Sequence, residues 1–279
     1  MLIVNNYQSC IYKTQGIRAS IIFGANTRCK SIKKNLSLYN PFSETFSHGE
    51  VDFDMNKPKI FTLKNKNSDK DLIVKYDPKI KGNLTSRITG KKVPVAILET
   101  KEKDLPNEAA FIFMSKDLLK EYGFVHLHRP KMVKDHYSGD LLKDYPKEGI
   151  VGDRLIVEYL CNETNGKLKG VGKLADEMEV KYCLDNNIKP NIISYAKINT
   201  EVAHYKRGKR FIEPEKDTYV YKELMRKYKT ADMNKIVRKF IKEDNEKTCI
   251  QGFYYPTMYM PKELFNKYKK KFIKNKTNG

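Results

Sequence analysis

Gly170 and Gly172 stand between a strand-like run and a helix-like run, with Lys167, Lys169 and Lys173 around them. This combination can bind phosphate. The first N–H groups of a helix have no intrahelical partner, and a helix start directly after a strand is an anion site by construction. Glycine has no Cβ, so a diphosphate can approach the main chain closely. The lysines add positive charge around the same turn. A second pair of chemically capable residues is His126 and His128, which alternate along Phe124–His128. Two same-face strand histidines could form half of a metal site, but without a nearby Cys or Asp they read as solvent-facing, and no metal is expected. The five cysteines, Cys10, Cys29, Cys161, Cys183 and Cys249, are scattered and contain no C-x-x-C pair. That pattern predicts a reduced, cytoplasmic protein without a zinc site.

The elements that must position the turn are legible. Leu155–Cys161 reads as a strand, and Ile192–Ala196 as a second one. Between them a helix is predicted from about Lys173 to Asn187. Val171, Ala175, Met178 and Tyr182 recur at helical spacing on one face, while Asp176, Glu177, Glu179 and Lys181 occupy the remainder. Asn186, Asn187 and Pro190 supply a stop.

Upstream, Ile60–Leu63 and Leu72–Tyr76 predict a hairpin, and Arg87–Thr89 with Val93–Leu98 a second one. Ala110–Met114 and Phe124–His128 read as strands flanking a short helix at Lys116–Tyr122, and 130–150 as a loop. Downstream, Asn199–Arg207 predicts a short helix ended by Gly208. Phe211–Ile212 reads as a brief strand and Tyr219–Lys242 as one helix. Phe253–Tyr255 and Met258–Met260 predict a final strand pair.

The chain has 279 residues, 40% hydrophobic and 11% aromatic, enough for a packed core. No apolar run approaches the ~18 residues of a membrane span, and the first residues lack the pattern of a secretory leader. No membrane association is expected. Residues 1–56 read as a poorly ordered or loosely docked extension, 57–265 as the folded domain and 266–279 as a basic tail. The formal net charge of +20 suits an anionic partner or cofactor. The densest basic cluster, Lys267–Phe272, fits a solvated helix face.

Glycine turns before helices occur in several contexts. A plain βαβ unit is one. A P-loop requires G-x-x-x-x-G-K-[ST], but Gly166 and Gly172 are one residue too far apart, and Leu174 stands where the hydroxyl belongs. The Rossmann pattern is met literally by Gly170–Ala175, yet the second strand ends without an acidic residue for a ribose, and hairpins precede it. The segment resembles more closely the acetyl-CoA-binding motif of the GNAT N-acetyltransferase superfamily, Q/R-x-x-G-x-G/A. Here it reads Lys167-Leu168-Lys169-Gly170-Val171-Gly172, with Lys at the first position. Val157–Asn162 lies where the family's fourth strand would be, and Ile192–Ala196 where its fifth would be. Asn199, Ala203, Tyr205 and Gly208 are similar to its N-x-x-A-x-x-x-Y-x-x-x-G-F stretch with altered spacing. Met258–Lys262 resembles its last strand.

The resemblance implies an α/β (α+β) fold, with a mixed, mostly antiparallel central sheet flanked by helices. It implies direct transfer of an acetyl group from acetyl-CoA to an amine acceptor, a small molecule or a protein, in a ternary complex. Cofactor contacts would come from Leu160, Cys161 and Asn162, from Lys167, Leu168, Lys169, Gly170, Val171, Gly172 and Lys173, and from Asn199. Tyr205 would be the general acid for the leaving thiolate and Glu158 the base for the amine. The alternative is a basic nucleic-acid-binding protein without catalysis, supported by the charge and the tyrosines interleaved in the C-terminal tail.

Overall fold

The glycine turn lies between the two strands of a parallel pair in a sheet whose other ladders are antiparallel. The computed structural model describes residues 32–39, 45–54, 56–65, 71–129 (without 104, 117 and 119), 154–196, 200–212, 219–243, 250 and 257–277. The strands are β1 (Ile32–Tyr39), β2 (Thr45–Phe53), β3 (Lys59–Asn65), β4 (Asp71–Tyr76), β5 (Gly82–Ser86), β6 (Lys92–Glu102), β7 (Glu108–Ser115), β8 (Glu121–His128), β9 (Leu155–Asn162), β10 (Leu168–Lys169), β11 (Ile192–Tyr195), β12 (Arg210–Phe211) and β13 (Thr257–Tyr259). The helices are α1 (Val171–Asp185), α2 (Glu201–Arg207), α3 (Tyr219–Tyr228), α4 (Met233–Glu243) and α5 (Lys262–Thr277).

The strand order is β1-β2-β3-β4-β6-β7-β8-β9-β11-β13-β12, with β5 on β6 and β10 on β5. β4 and β5 lie end to end along one edge of β6, opposite β7. The expected mixed, mostly antiparallel α/β architecture is therefore present. Alternation along the strands separates two apolar faces. Val95, Ile97, Phe111, Phe113, Val125 and Leu127 pack with Val171, Ala175, Met178 and Tyr182 of α1. Ala96, Leu98, Ile112 and Met114 belong to a second cluster with β3 and β4. A third cluster joins α2, α3 and α4 around Val202, Tyr221 and Ile236.

Several expectations are corrected. Within the expected extension of residues 1–56, Ile32–Tyr39 and Thr45–Phe53 pair antiparallel, and β2 continues the sheet through Phe46 and Ser47 opposite Asn65 and Lys64; 1–31 and 40–44 lie outside the described residues. Arg87–Thr89 is the turn between β5 and β6, stapled by Ser86 N–H to the Lys91 carbonyl and Gly90 N–H to the Ser86 carbonyl. The expected helix at 116–122 is a tight β7–β8 connection. There Ser115 N–H donates to the Lys120 carbonyl, and Leu118 sits at φ 58°. The helix expected over 219–242 is two helices, because Lys229 turns to φ 50° and Asp232 caps the second one through Lys235 N–H. The basic tail is the greater part of α5, whose Leu264, Phe265 and Tyr268 are buried in the α1 core. The 130–150 loop and Phe253–Tyr255 lie outside the described residues. Among the described residues no helix is long and apolar enough to cross a membrane.

Candidate functional site

β9 and β11 run side by side only from Leu155–Val157 against Ile192–Ser194. β9 then continues to Asn162, paired with β8 on one edge. Over Glu158–Asn162 its other edge carries no strand partner among the described residues. Leu160, Cys161 and Asn162 stand in this stretch. Their side chains have other tasks. Leu160 packs against the α1 core. The Cys161 thiol donates to Glu163 Oε1 at 2.8 Å, and burial together with that carboxylate pushes it up to about 12. Asn162 Oδ1 accepts from Thr164 N–H at 3.1 Å and from its hydroxyl at 2.6 Å.

The loop after β9 is built around left-handed residues. Asn165 has φ 48°, Gly166 φ 72° and Gly170 φ 112°. Its far side is anchored to the sheet. Leu168 and Lys169 pair with Ser86 and Thr85, and Arg87 N–H donates to the Lys167 carbonyl. Gly170 lies against Leu84, and no side chain caps α1 there. The first turn of α1 contains no acidic residue. Lys167, Lys169 and Lys173 are exposed, whereas Val171 is buried and can offer only its backbone. The turn thus combines helix N–H groups that no side chain caps with three exposed lysines in the same segment.

Gly172 has a neighbour the sequence does not disclose. A Cβ built there would come within 2.8 Å of the Arg207 guanidinium. Arg207, the last residue of α2, reaches over the start of α1, where its Nε donates to Asp176 Oδ2 at 3.0 Å and its Nη2 meets His204 Nδ1 at 2.8 Å. Burial and the cationic Arg207 and Lys209 hold the His204 imidazole well below the usual range, so it stays neutral and accepts that hydrogen bond.

Beneath Arg207 lies a closed ionic cluster. Lys209 Nζ is 2.9 and 3.0 Å from the Glu179 oxygens, 3.3 Å from Asp176 Oδ1 and 2.7 Å from Ser194 Oγ, with Lys209, Asp176 and Glu179 fully buried. Burial pushes the Glu179 carboxyl up while Lys209 pulls it back. Glu177 is also buried and pairs with Lys271 of α5. Asp176, Glu177 and Glu179, which the helical spacing puts off the apolar face, are therefore buried all the same, because α1 is covered by α2 and α5 as well as by the sheet. The signal available in sequence was charge complementarity. Acids at 176 and 179 share a helix face, Arg207 ends the next helix and Lys209 follows it, but no local pattern pairs them.

Tyr205 occupies a different place from the one expected. Its hydroxyl donates to the Asn234 carbonyl at 3.1 Å, and its ring packs against Phe211 and under Arg210 in the third cluster. That hydroxyl has a structural partner in α4, and the geometry gives a general-acid role no support. Asn199 lies outside the described residues.

Glu158 is the first β9 residue beyond the parallel ladder. Its Oε1 is 3.4 Å from His128 Nδ1. Beside this pair, His126 Nε2 is 3.0 Å from Glu108 Oε2, and Tyr159, 57% exposed, stacks on His126 at 6.3 Å. Burial pushes His126 down to about 4, against the pull of Glu158, and pushes the Glu108 carboxyl up. The two histidines expected to face solvent are thus paired with carboxylates from β7 and β9, and His126 is buried. Among the described residues, no group of three or more His, Cys, Asp or Glu side chains is placed to hold a metal ion. No protein-family model and no curated protein sequence matches this chain.

Proposed function

We propose that the chain transfers an acetyl group from acetyl-CoA to an amine, in the manner of the GNAT acetyltransferases that its glycine turn resembles. The observation that carries this reading is the partial parallel pair: β9 outruns its ladder with β11 at Val157, and the uncapped start of α1 lies at the far end of the exposed stretch. A linear molecule with a diphosphate at one end and a thioester at the other matches that layout. The diphosphate would lie on the Leu168–Lys173 backbone, and Arg207 supplies a further cation over Gly172. The peptide groups of Leu160–Asn162 would receive the pantetheine amides, and the thioester would lie near Glu158.

The chemistry asks for loss of a proton from the amine, support of an oxyanion and protonation of a thiolate. Glu158 stands where β9 separates from β11 and supplies a carboxylate for the first task. A basic protein that binds nucleic acid without catalysis is the competing reading, and it has no use for a diphosphate turn at the end of a strand.

Calorimetric titration of acetyl-CoA tests the assignment. The parent is expected to bind. Gly172→Val is expected to abolish binding, both by filling the approach to the turn and by displacing Arg207. Lys173→Ala removes one mobile charge and should cost about 1 kcal/mol, less at high salt. Thermal melts of each variant separate lost binding from lost folding. A folded Gly172→Val protein that binds like the parent would place the diphosphate elsewhere and remove the main support for the reading.

A further inference from the structure

We propose that the turn between β5 and β6, through Arg87, Lys91 and Lys92, binds the 3′-phosphate of coenzyme A and selects the phosphorylated cofactor over its 3′-dephospho form. The site rests on the acyl-transfer reading and adds to it a second phosphate contact, on strands that the glycine-turn motif does not reach.

The glycine turn lies directly on β5. A Cβ built at Gly170 would meet Leu84 Cδ2 at 3.5 Å and the Asn83 carbonyl oxygen at 3.8 Å. Just before it, Leu168 and Lys169 pair with Ser86 and Thr85, and Thr85 pairs in turn with Lys92 of β6. Lys169, Thr85 and Lys92 therefore form one row across three strands, on one face of the sheet. The turn that follows β5 is held by its own bonds. Ser86 N–H donates to the Lys91 carbonyl at 2.9 Å, Thr89 N–H to Ser86 Oγ at 3.2 Å and Lys91 N–H to Thr89 Oγ1 at 3.3 Å. Arg87 N–H donates to the Lys167 carbonyl at 2.9 Å, which joins this turn to the glycine loop.

Charge singles out this surface. Residues 78–98 hold five Lys or Arg and residues 164–175 hold three, and neither stretch contains Asp or Glu. Arg87, Lys91, Lys92, Lys167 and Lys169 are exposed, and none is ion-paired among the described residues. On the α3–α4 surface, by contrast, exposed cations have carboxylates at hand: Arg226 meets Glu223 and Lys227 meets Glu243. Like charges gathered without counter-charges repel one another, and a multivalent anion among them removes that repulsion. The covalent structure of coenzyme A supplies such an anion. Its 3′-phosphate is carried on the same ribose as the 5′-diphosphate, so a diphosphate on the glycine turn keeps the 3′-phosphate within one sugar of that turn. The pantetheine half would leave along β9, and the guanidinium at the α2 end is already engaged by Asp176 and His204. The side of the turn left for the nucleotide is that of β5 and β6. A phosphate monoester is close to a dianion at neutral pH. A guanidinium takes it with two parallel N–H donors, and lysines add charge around it.

The test is calorimetric titration of the full chain with acetyl-CoA and with acetyl-3′-dephospho-CoA. Three proteins are compared: the parent, the triple variant Arg87→Gln, Lys91→Gln, Lys92→Gln, and a charge-matched control on α4, Lys235→Gln, Arg238→Gln, Lys242→Gln. All six side chains are exposed, and thermal melts check that both variants fold. The parent should bind acetyl-CoA about 10-fold more tightly than the dephospho form, the size of one charge-assisted contact. The triple variant should lose that preference while binding the dephospho form as the parent does. Arg87→Gln alone should already lose most of it. The control loses the same net charge and should keep the preference, and added salt should shrink the preference in the parent. A parent that binds both forms equally, turn variants that keep the parent's preference, or a control that loses it as well would overturn the inference and leave the acyl-transfer reading intact. A parent that binds neither form overturns the acyl-transfer reading itself.

Discussion

Replacing Lys209 with methionine removes the one ammonium shared by Glu179, Asp176 and Ser194 in a fully buried site. The cost can be bounded from the structure. Removing one partner of a buried pair leaves an uncompensated charge and typically costs about 3–5 kcal/mol. Asp176 keeps Arg207 at 3.0 Å, so the exposed liability is Glu179. Glu179 can escape by taking up a proton, and that escape caps its penalty. For a carboxyl with an ordinary value of 4.5, protonation at pH 7 costs about 3.4 kcal/mol, at about 1.36 kcal/mol per pH unit. At pH 5 the same step costs about 0.7 kcal/mol. Lys209→Met should therefore destabilise the protein by about 3–4 kcal/mol at pH 7 and by much less at pH 5. Adding Glu179→Met should recover most of the loss, since two apolar side chains of similar length replace the pair. Urea unfolding of the parent, both single variants and the double variant at the two pH values checks this. A loss below about 1 kcal/mol at pH 7, a loss independent of pH, or a double variant no better than Lys209→Met would refute the reasoning.

The other expectations are smaller in scope. Burial pushes His126 from 6.5 down to about 4. The unfolded chain therefore binds the extra proton between those values, and stability from this residue is present above pH 6.5 and lost as pH falls through 4. The contribution is about 3 kcal/mol, and it should appear as the pH-dependent difference between parent and His126→Gln in urea melts. Glu121 acts in the opposite sense. Burial and Glu163 raise it from 4.5 to about 7, so its contribution is lost as pH rises through that window, and Glu121→Gln should flatten this loss in the same melts. Tyr205→Phe removes a hydroxyl bonded to the Asn234 carbonyl. It should cost about 1 kcal/mol, read as a melting shift of a few degrees, and leave acetyl transfer at the parent's rate. A collapse of transfer with an unchanged melting temperature would restore the general-acid role to Tyr205.

The central strand–turn–helix–strand unit was legible because it is local. Leu155–Asn162, the glycine pair, α1 and Ile192–Tyr195 follow one another in the chain, and the apolar spacing of Val171, Ala175, Met178 and Tyr182 marks the face that meets the sheet. The charge balance and the scattered cysteines were likewise readable from composition. The sheet edge formed by β1 and β2 escaped because two polar strands carry little hydrophobic alternation. The break in the α3–α4 segment escaped because Lys229 is a good helix former that the tertiary structure turns to positive φ. Long-range pairings are invisible to periodicity for the same reason. Nothing near Gly172 announces that Arg207 fills the space above it, nothing near Asp176 and Glu179 announces Lys209, and nothing near His128 announces Glu158, thirty residues on. Sequence spacing specifies which side chains share a face of one element. Which foreign side chain meets that face is decided only when β9, β11 and α2 pack together, because a buried charge must find its counter-charge wherever the fold brings one within hydrogen-bonding reach.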